Sequence, residues 1–544
     1  MKELDRTDRI LAALVFCVSL FTYALASRTQ GNVRDEGYYF DAAEPYFGWY
    51  VELADNVRHG HPGKSFTRAS VDRWFSYNHE HPALMKTLFG ASNRAFMQRI
   101  GPEPALRLPT HILSAAMIAV VFLFGLGLWG RRAGFVAAAL TLGAPRLFFD
   151  AQLACFDAPI AAFWVFVVYA YLRALGSGPR DRRWAWRAGV LLGLALATKH
   201  NAFFLPPLLV LHYLYVHRDR LAKFRLPAIP RVFIWMAILG PLVYLACWPW
   251  LWFSTVARFK EYVAFHVNHV YYNMEYLGTN YNKPPFPLSF PYVMTALTLP
   301  VTTLALALYG TLCTYTQRRE KAANAPGLLI VLNAIFPLAI ITLARAPIFG
   351  ATKHWHASVP FVALLAAYGL ERVLAALPSA RRQALGVIVA LAVITPALAE
   401  TWRSHPYGLS HYNLVAGGPP GGADLGMNRQ FWGYATRGLL PALNRLTQSG
   451  PPPRIYWHDT NRSQLNMYRR MGLIRADLAN SDSGMEEPGV RASNLALVIH
   501  EKHFNKYEYW IWDAYGTTQP TVVLDDEGVP LVTLYQRPAR PTQP

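Results

Sequence analysis

The constraint that dominates this chain is a series of apolar runs, each close to the thickness of a lipid bilayer. The hydrocarbon core takes about 20 mostly apolar residues as a helix, since every backbone polar group there must pair within the protein. Eleven segments fit that description: Ile10–Ala26, Leu108–Trp129, Gly134–Phe149, Leu153–Leu172, Ala188–Ala197, Ala202–Val216, Val232–Phe253, Tyr292–Tyr315, Pro326–Leu343, Ala357–Leu377 and Ala384–Ala399. The fifth is short. Charged residues are only 16% of the 544, against about 25% in soluble domains. That excludes a disordered chain and argues against a purely soluble enzyme. The expected fold class is an α-helical polytopic membrane protein. The first segment ends in Ala-Leu-Ala at Ala26, which is faintly like a signal-peptide cleavage site, but ten further spans favour a retained anchor.

Orientation follows from Lys and Arg in short loops. Arg131 and Arg132 follow the second span. Arg173, Arg180, Arg182, Arg183 and Arg187 follow the fourth, and Arg218, Arg220, Lys223, Arg225 and Arg231 follow the sixth. Arg318, Arg319 and Lys321 follow the eighth, and Arg381 and Arg382 the tenth. Lys2, Arg6 and Arg9 place the N-terminus on the same, cytoplasmic side. Much of the net charge of +19 is thereby topology, so no nucleic-acid partner is needed.

Three regions then fall outside: Ser27–Arg107, Ser254–Pro291, and everything from Thr401. Residues 1–400 read as the membrane domain and 401–544 as a small extracytoplasmic α/β domain. Leu495–His500, Thr521–Leu524 and Leu531–Gln536 look like strands, and Asp525-Asp526-Glu527-Gly528 is a hairpin signal between the last two. Cys17, Cys155, Cys247 and Cys313 lie in or beside apolar runs and form neither a disulfide framework nor a metal motif. No internal repeat is evident.

The charged motifs gather on the outer side. Asp35 and Glu36 lie just beyond the first span; they could supply a general base or ligate a hard divalent cation, or simply begin a solvated loop. His79-Glu80-His81-Pro82 could bind metal, sugar or phosphate, or be a polar loop ended by proline. Asp157 precedes Pro159 and could cap the helix that follows. Lys199 with His200, and Lys353 with His354, put cations at outer helix mouths; each lysine could hold a phosphate or snorkel to the interface. His266 and His269 share a helical face in a loop rich in Tyr, and are weak metal candidates.

Taken in order, these motifs resemble the GT-C class of membrane glycosyltransferases, especially the bacterial relatives of protein O-mannosyltransferases and the aminoarabinose transferase. The resemblance rests on Asp35-Glu36, His81-Pro82, Asp157-Ala158-Pro159, Thr198-Lys199, Pro284-Pro285-Phe286-Pro287 before Met294-Thr295, and Lys353-His354. His405-Pro406-Tyr407-Gly408-Leu409-Ser410 with Tyr412-Asn413 continues it. The chain has His81-Pro82-Ala83 where the family often has His-Pro-Pro. The resemblance implies a polyprenyl-phosphate sugar donor, Asp35 as base, Glu36 as its support and Asp157 in the same cavity. The family varies in its use of metal, so a divalent cation is left open.

The expected activity is transfer of a sugar from a lipid-phosphate donor to an acceptor hydroxyl on a protein, lipid or glycan, with inversion, at the outer face of a bacterial inner membrane. A transporter or flippase would instead set ionisable groups at the midplane between inverted repeats. A non-catalytic glycolipid-binding assembly protein would tolerate loss of Asp35. The topology is testable directly: a cysteine at Ser483 should react with an impermeant thiol reagent in intact cells, and one at Ser177 should not. The reverse pattern would move the charged motifs to the cytoplasm.

Overall fold

The computed structural model describes residues 3–176, 181–316, 324–343, 346, 348, 350–478 and 486–538. Ser177, Arg180, Arg318, Arg319, Lys321 and Ser483 lie outside the described residues, as do the side chains of Arg381 and Arg382. Helix dominates, and every expected apolar run carries it. Among the described residues five helical segments are long and apolar enough to cross a membrane: Arg6–Ala26, Pro102–Trp129, Asp157–Ala174, Ala351–Ala375 and Leu385–Ser404. Arg231–Ala246 and Pro326–Ile341 are shorter apolar helices.

Several expected runs are broken rather than continuous. Gly143-Ala144 divides one into Arg131–Leu142 and Pro145–Asp150; Leu299-Pro300 divides another into Phe290–Thr298 and Val301–Thr316. A proline has no N–H and pushes the preceding residue out of helical geometry, as the extended ψ of 146° at Leu299 shows. Elsewhere small residues let helices approach closely. A Cβ at Gly310 would lie 2.1 Å from the Leu365 carbonyl oxygen, and one at Gly369 would lie 2.3 Å from that of Leu306.

The basic turn after Pro102–Trp129 also ties helix ends together. Arg131 donates to Asp8 at 2.7 Å and to Asp5 at 2.9 Å. These two aspartates form the capping box that starts the Arg6–Ala26 helix. Arg132 donates to both carboxylate oxygens of Glu371, at 2.7 and 2.6 Å.

The first of the two long segments between apolar helices, residues 27–107, is mostly helical, with Arg34–Arg58, Arg68–Phe75 and Leu84–Ile100 as its main elements. In the second, strands β1 (Met274–Tyr276) and β2 (Thr279–Tyr281) form a hairpin. After residue 404 a mixed sheet runs in the order β3-β4-β6-β5, from β3 (Ile455–Trp457), β4 (Leu495–Ile499), β5 (Val522–Asp526) and β6 (Val529–Gln536). β3 runs parallel to β4, and the other pairs are antiparallel. Glu527 and Gly528, at φ 51° and 85°, make the tight turn of the expected β5–β6 hairpin. The three-residue β3 is too short to carry a periodic signal in sequence. One buried apolar cluster includes Val33, Phe149 and Phe156 from the helical region and Trp432, Leu465 and Leu497 from the C-terminal segment.

The start of the Arg34–Arg58 helix is anchored by a buried ion pair. Glu36 and Arg107 are both fully buried, and Arg107 donates from Nε and Nη2 to the two Glu36 oxygens at 2.8 Å each. Glu36 also accepts the backbone N–H groups of Val33 at 3.1 Å and Ala154 at 2.7 Å. Removing one partner of such a pair strands a buried charge, at about 3–5 kcal/mol. Arg107→Ala should therefore lower the melting temperature of the detergent-purified protein sharply, and Glu36→Met with Arg107→Leu should recover part of the loss. An unchanged melting temperature in Arg107→Ala would remove the pair from its anchoring role.

Candidate active site

The anchored helix start delivers Asp35 to a cavity of about 740 Å³. Asp35, Asp157, Lys199, His200, Lys353, His354, His81, His266 and His269 all line it, from segments scattered over three hundred residues of sequence. One flank is apolar, formed by Ile160, Trp164, Pro337, Ile340, Ile341 and Leu343. The cavity thus carries a charged end and a greasy end.

Two carboxylate–lysine pairs make the charged end. Lys199 Nζ donates to Asp157 Oδ1 at 2.6 Å, with both side chains buried. Lys353 Nζ lies 3.6 Å from Asp35 Oδ2, a looser pair in which the Asp35 side chain keeps 25% of its exposure. Asp157 is the first residue of its helix rather than its cap, and its carboxylate faces Lys199. Lys353 also sits 3.6 Å from the centroid of the Trp432 ring, a close cation–π contact.

Trp432 belongs to the C-terminal segment, which grips the start of the Arg34–Arg58 helix. Arg34 N–H donates to the Trp432 carbonyl at 2.9 Å. Asn461 Nδ2 donates to the Arg34 carbonyl and Gln464 Nε2 to that of Asn32, each at 2.7 Å. Arg34 Nη1 pairs with Asp459 at 2.8 Å. Gly31 and Gly37 permit the contact: a Cβ would lie 1.9 Å from the Tyr434 carbonyl oxygen at one and 2.3 Å from Asn461 Oδ1 at the other. Trp432 itself has φ 75°, a left-handed conformation that a bulky residue adopts only where its surroundings impose it.

Two expected site residues stand outside the cavity. Glu36 faces Arg107, so its support of Asp35 runs through the backbone of the helix start. His79 binds the Ser76 carbonyl at 2.7 Å and Glu261 at 3.0 Å, and packs on Trp250, where it pins the outer loops. The Tyr412-Asn413 motif is also remote: Asn413 Nδ2 donates to the carbonyls of Ala296 and Leu299 at 2.7 Å and finishes the Phe290–Thr298 helix. Among the described residues no three His, Cys, Asp or Glu side chains converge to hold a metal, and His266 and His269 recruit no third ligand. Arg34, Tyr39, Tyr272 and Trp432 line the cavity and were not singled out by sequence. For Trp432 the one signal was an aromatic pair, Phe431-Trp432, running into Gly433.

Known proteins can now be set beside this geometry. Residues 81–248 match the family model described as dolichyl-phosphate-mannose-protein mannosyltransferase. That stretch contains His81, Asp157, Lys199 and His200. A search of curated proteins found no match. Among solved structures, ArnT from Cupriavidus metallidurans in the apo state matches with a TM-score of 0.51 at 17% identity, covering 96% of this chain and 97% of that one. ArnT from the same organism bound to undecaprenyl phosphate gives 0.52 at 16% identity, over 97% and 98%. In fold, the chain is similar to these ArnT structures over nearly its whole length.

Three imidazoles of the cavity, those of His81, His200 and His266, are held neutral by burial. Burial drives His81 and His200 well below the ordinary range, and brings His266 to about 4. His200 packs on His266 with ring centroids 4.1 Å apart. His200 Nδ1 and His266 Nε2 have no hydrogen-bond partner among the described residues. In the unfolded chain these groups titrate near pH 6.5. Below that pH the unfolded state binds more protons than the folded one, so stability falls as pH falls toward the depressed folded values. Melting of the purified protein should thus occur at lower temperature at about pH 5 than at about pH 7.5, and His200→Gln should flatten that slope. A slope unchanged by the substitution would show that His200 titrates normally in the fold.

Proposed function

We propose that this protein transfers a sugar from a polyprenyl-phosphate donor to an acceptor hydroxyl at the outer face of a bacterial inner membrane. The observation that carries the reading is the meeting, in one cavity, of a partly exposed carboxylate, two lysines and an apolar flank. The apolar flank suits an isoprenoid chain, and the lysines suit the phosphate. We further read eleven membrane spans over residues 1–400 and an extracytoplasmic α/β domain over residues 401–544.

In this reading the donor phosphate enters between Lys199 and Lys353. Its charge draws Lys353 from Asp35, whose 3.6 Å pairing is already loose. Asp35 Oδ2 then accepts the hydrogen of the acceptor hydroxyl and takes its proton as the acceptor oxygen attacks the anomeric carbon. A bond forms from that oxygen to the anomeric carbon. The bond from the anomeric carbon to the phosphate oxygen breaks, and polyprenyl phosphate departs with the electron pair. Attack opposite the leaving group inverts the anomeric centre. The leaving phosphate is already an anion held by lysine, so no acid is needed to protonate it. Asp157 holds Lys199 in place, and the neutral imidazoles of His81, His200 and His266 offer hydrogen bonds without further charge.

Asp35→Asn keeps the shape of the side chain and removes its basicity. Loss of a general base costs about 10²–10⁴-fold in rate. Turnover with a polyprenyl-phosphate sugar should collapse while donor binding survives. Lys353→Ala and Lys199→Ala should each raise the donor KM, since a charge-assisted contact is worth about 1.5–3 kcal/mol. Near wild-type transfer by Asp35→Asn would pass the base role to Asp157; unchanged donor affinity in both lysine variants would place the phosphate elsewhere.

A further inference from the structure

Beside the reaction cavity lies a second, smaller hollow of about 230 Å³. Arg34 and Tyr272 line both, so the two spaces share a wall one residue from Asp35. Most of the remaining wall comes from the C-terminal segment, including Asp459, Glu501, Phe504 and Tyr507. None of these four has a part in the donor chemistry above.

Glu501 is the unusual member. It follows β4 by two residues and is only 6% exposed. No hydrogen bond reaches its carboxylate among the described residues, and the closest cationic candidate, His503 Nδ1, stands 3.6 Å away. Burial lowers His503 to about 4, so it is neutral at pH 7 and gives the carboxyl no ion-pair partner, while the Arg34 guanidinium, paired with Asp459, only partly offsets its burial. Burial likewise raises the Glu501 carboxyl well above its ordinary range. Asp459, by contrast, is matched by Arg34 at 2.8 Å. A buried carboxylate with open acceptor positions calls for O–H or N–H donors.

Most of the remaining lining is aromatic. Phe504 and Tyr507 stand nearly perpendicular with centroids 5.7 Å apart, and His458 packs against both at 4.3 and 4.2 Å. Aromatic faces carry negative charge density and attract C–H groups of positive polarity. A ligand with C–H faces and hydroxyls on its rim matches both features, and that description fits a sugar ring. The hollow is smaller than the roughly 300–1,000 Å³ of drug-sized sites, which suits a single ring. A Ser or Thr side chain would give one hydroxyl and no face to stack.

We propose that this hollow is the acceptor subsite and takes a sugar ring, from a glycan or a glycolipid headgroup. Glu501 accepts its hydroxyl hydrogens, and Phe504 and Tyr507 take its C–H faces. A neighbouring hydroxyl then passes the Arg34–Tyr272 wall toward Asp35. The proposal rests on the transferase reading for the word acceptor; binding in the hollow does not.

The test uses full-length protein in lipid nanodiscs and saturation-transfer NMR with methyl α-D-glucopyranoside, its 2-amino analogue and a Ser/Thr-rich peptide as probes. Ring-proton signals from at least one sugar are expected. Glu501→Gln and Tyr507→Ala should each weaken them about tenfold or more, while undecaprenyl phosphate still binds. Phe504→Leu replaces either variant that fails to bind the lipid. Sugar signals that are absent in wild type, or unchanged in the variants, overturn the proposal. Transfer assays with soluble oligosaccharide and with extracted envelope glycolipid distinguish the two sources, and a product from either supports it; transfer to the peptide alone overturns it. If wild type binds sugar through Glu501 but neither binds undecaprenyl phosphate nor transfers, the transferase reading fails and the sugar site stands.

Discussion

The place of Asp35 in the cavity depends on the first turn of its helix, and a buried pair holds that turn. Glu36 spends both carboxylate oxygens on Arg107 and on the backbone N–H groups of Val33 and Ala154. Arg107 in turn donates to the carbonyls of Ser27, Gln30 and Gly31. The chain leaving the first membrane helix, the start of the next helix and the turn before Asp157 are thereby fixed to one guanidinium. Successive helical residues project about 100° apart, so a Glu36 locked inward leaves Asp35 facing the cavity. The two adjacent carboxylates are thus divided by geometry, one buried on Arg107 and one facing the cavity. A bidentate arginine suits this task because its planar fork fixes direction as well as charge.

The cavity is close to electroneutral in its charged end. Asp157 answers Lys199, and Asp35 answers Lys353. In a space of low dielectric, isolated charges would be costly, and pairing reduces that cost. The pairs differ in tightness. The buried Lys199–Asp157 contact at 2.6 Å is a fixed feature, while the Lys353–Asp35 contact at 3.6 Å leaves room for a competitor. In the proposed reaction, a phosphate arriving between them has one lysine already positioned and one to capture, and capturing the second would unmask the carboxylate next to it, so that donor binding would prepare the base.

Much of this was legible in sequence, and the parts that were not have physical reasons. Long apolar runs announce membrane helices because the bilayer demands them, and the β5–β6 hairpin announced itself through Asp526-Glu527-Gly528. Asp35, Asp157, Lys199 and Lys353 could be selected because charge at a membrane face is costly unless it has a use. The role of Glu36 could not be assigned: its partner Arg107 lies 71 positions away and reads as the flank of a span. Asp157 looked equally like a helix cap, and its place as the first residue of the helix, paired with Lys199, has no local signal in sequence. The breaks at Gly143-Ala144 and Leu299-Pro300 were carried by residues that membrane helices often tolerate. Trp432 was invisible because its significance lies in a backbone conformation and a contact with Lys353, neither of which has a local pattern.

The C-terminal segment gives the strained tryptophan its meaning. A non-glycine residue at positive φ costs of the order of 1–3 kcal/mol and persists only where neighbours fix it. Here Arg34 N–H holds the Trp432 carbonyl, and its ring covers Lys353. Gly433 follows at φ 70°, where a Cβ would lie 2.5 Å from the Asp459 carbonyl oxygen. Asp459 in turn holds Arg34. The four residues close a ring of contacts: Arg34 to Trp432, Trp432 through Gly433 to Asp459, and Asp459 back to Arg34. One side of that ring meets the lysine of the donor cavity, and the other lines the smaller hollow. Movement of the C-terminal segment therefore cannot leave Asp35 unaffected, because the residue before Asp35 is held from both sides by that segment. The helices before residue 400 supply the lysines and the apolar flank, but the placement of Asp35 depends on residues some four hundred positions later in the chain.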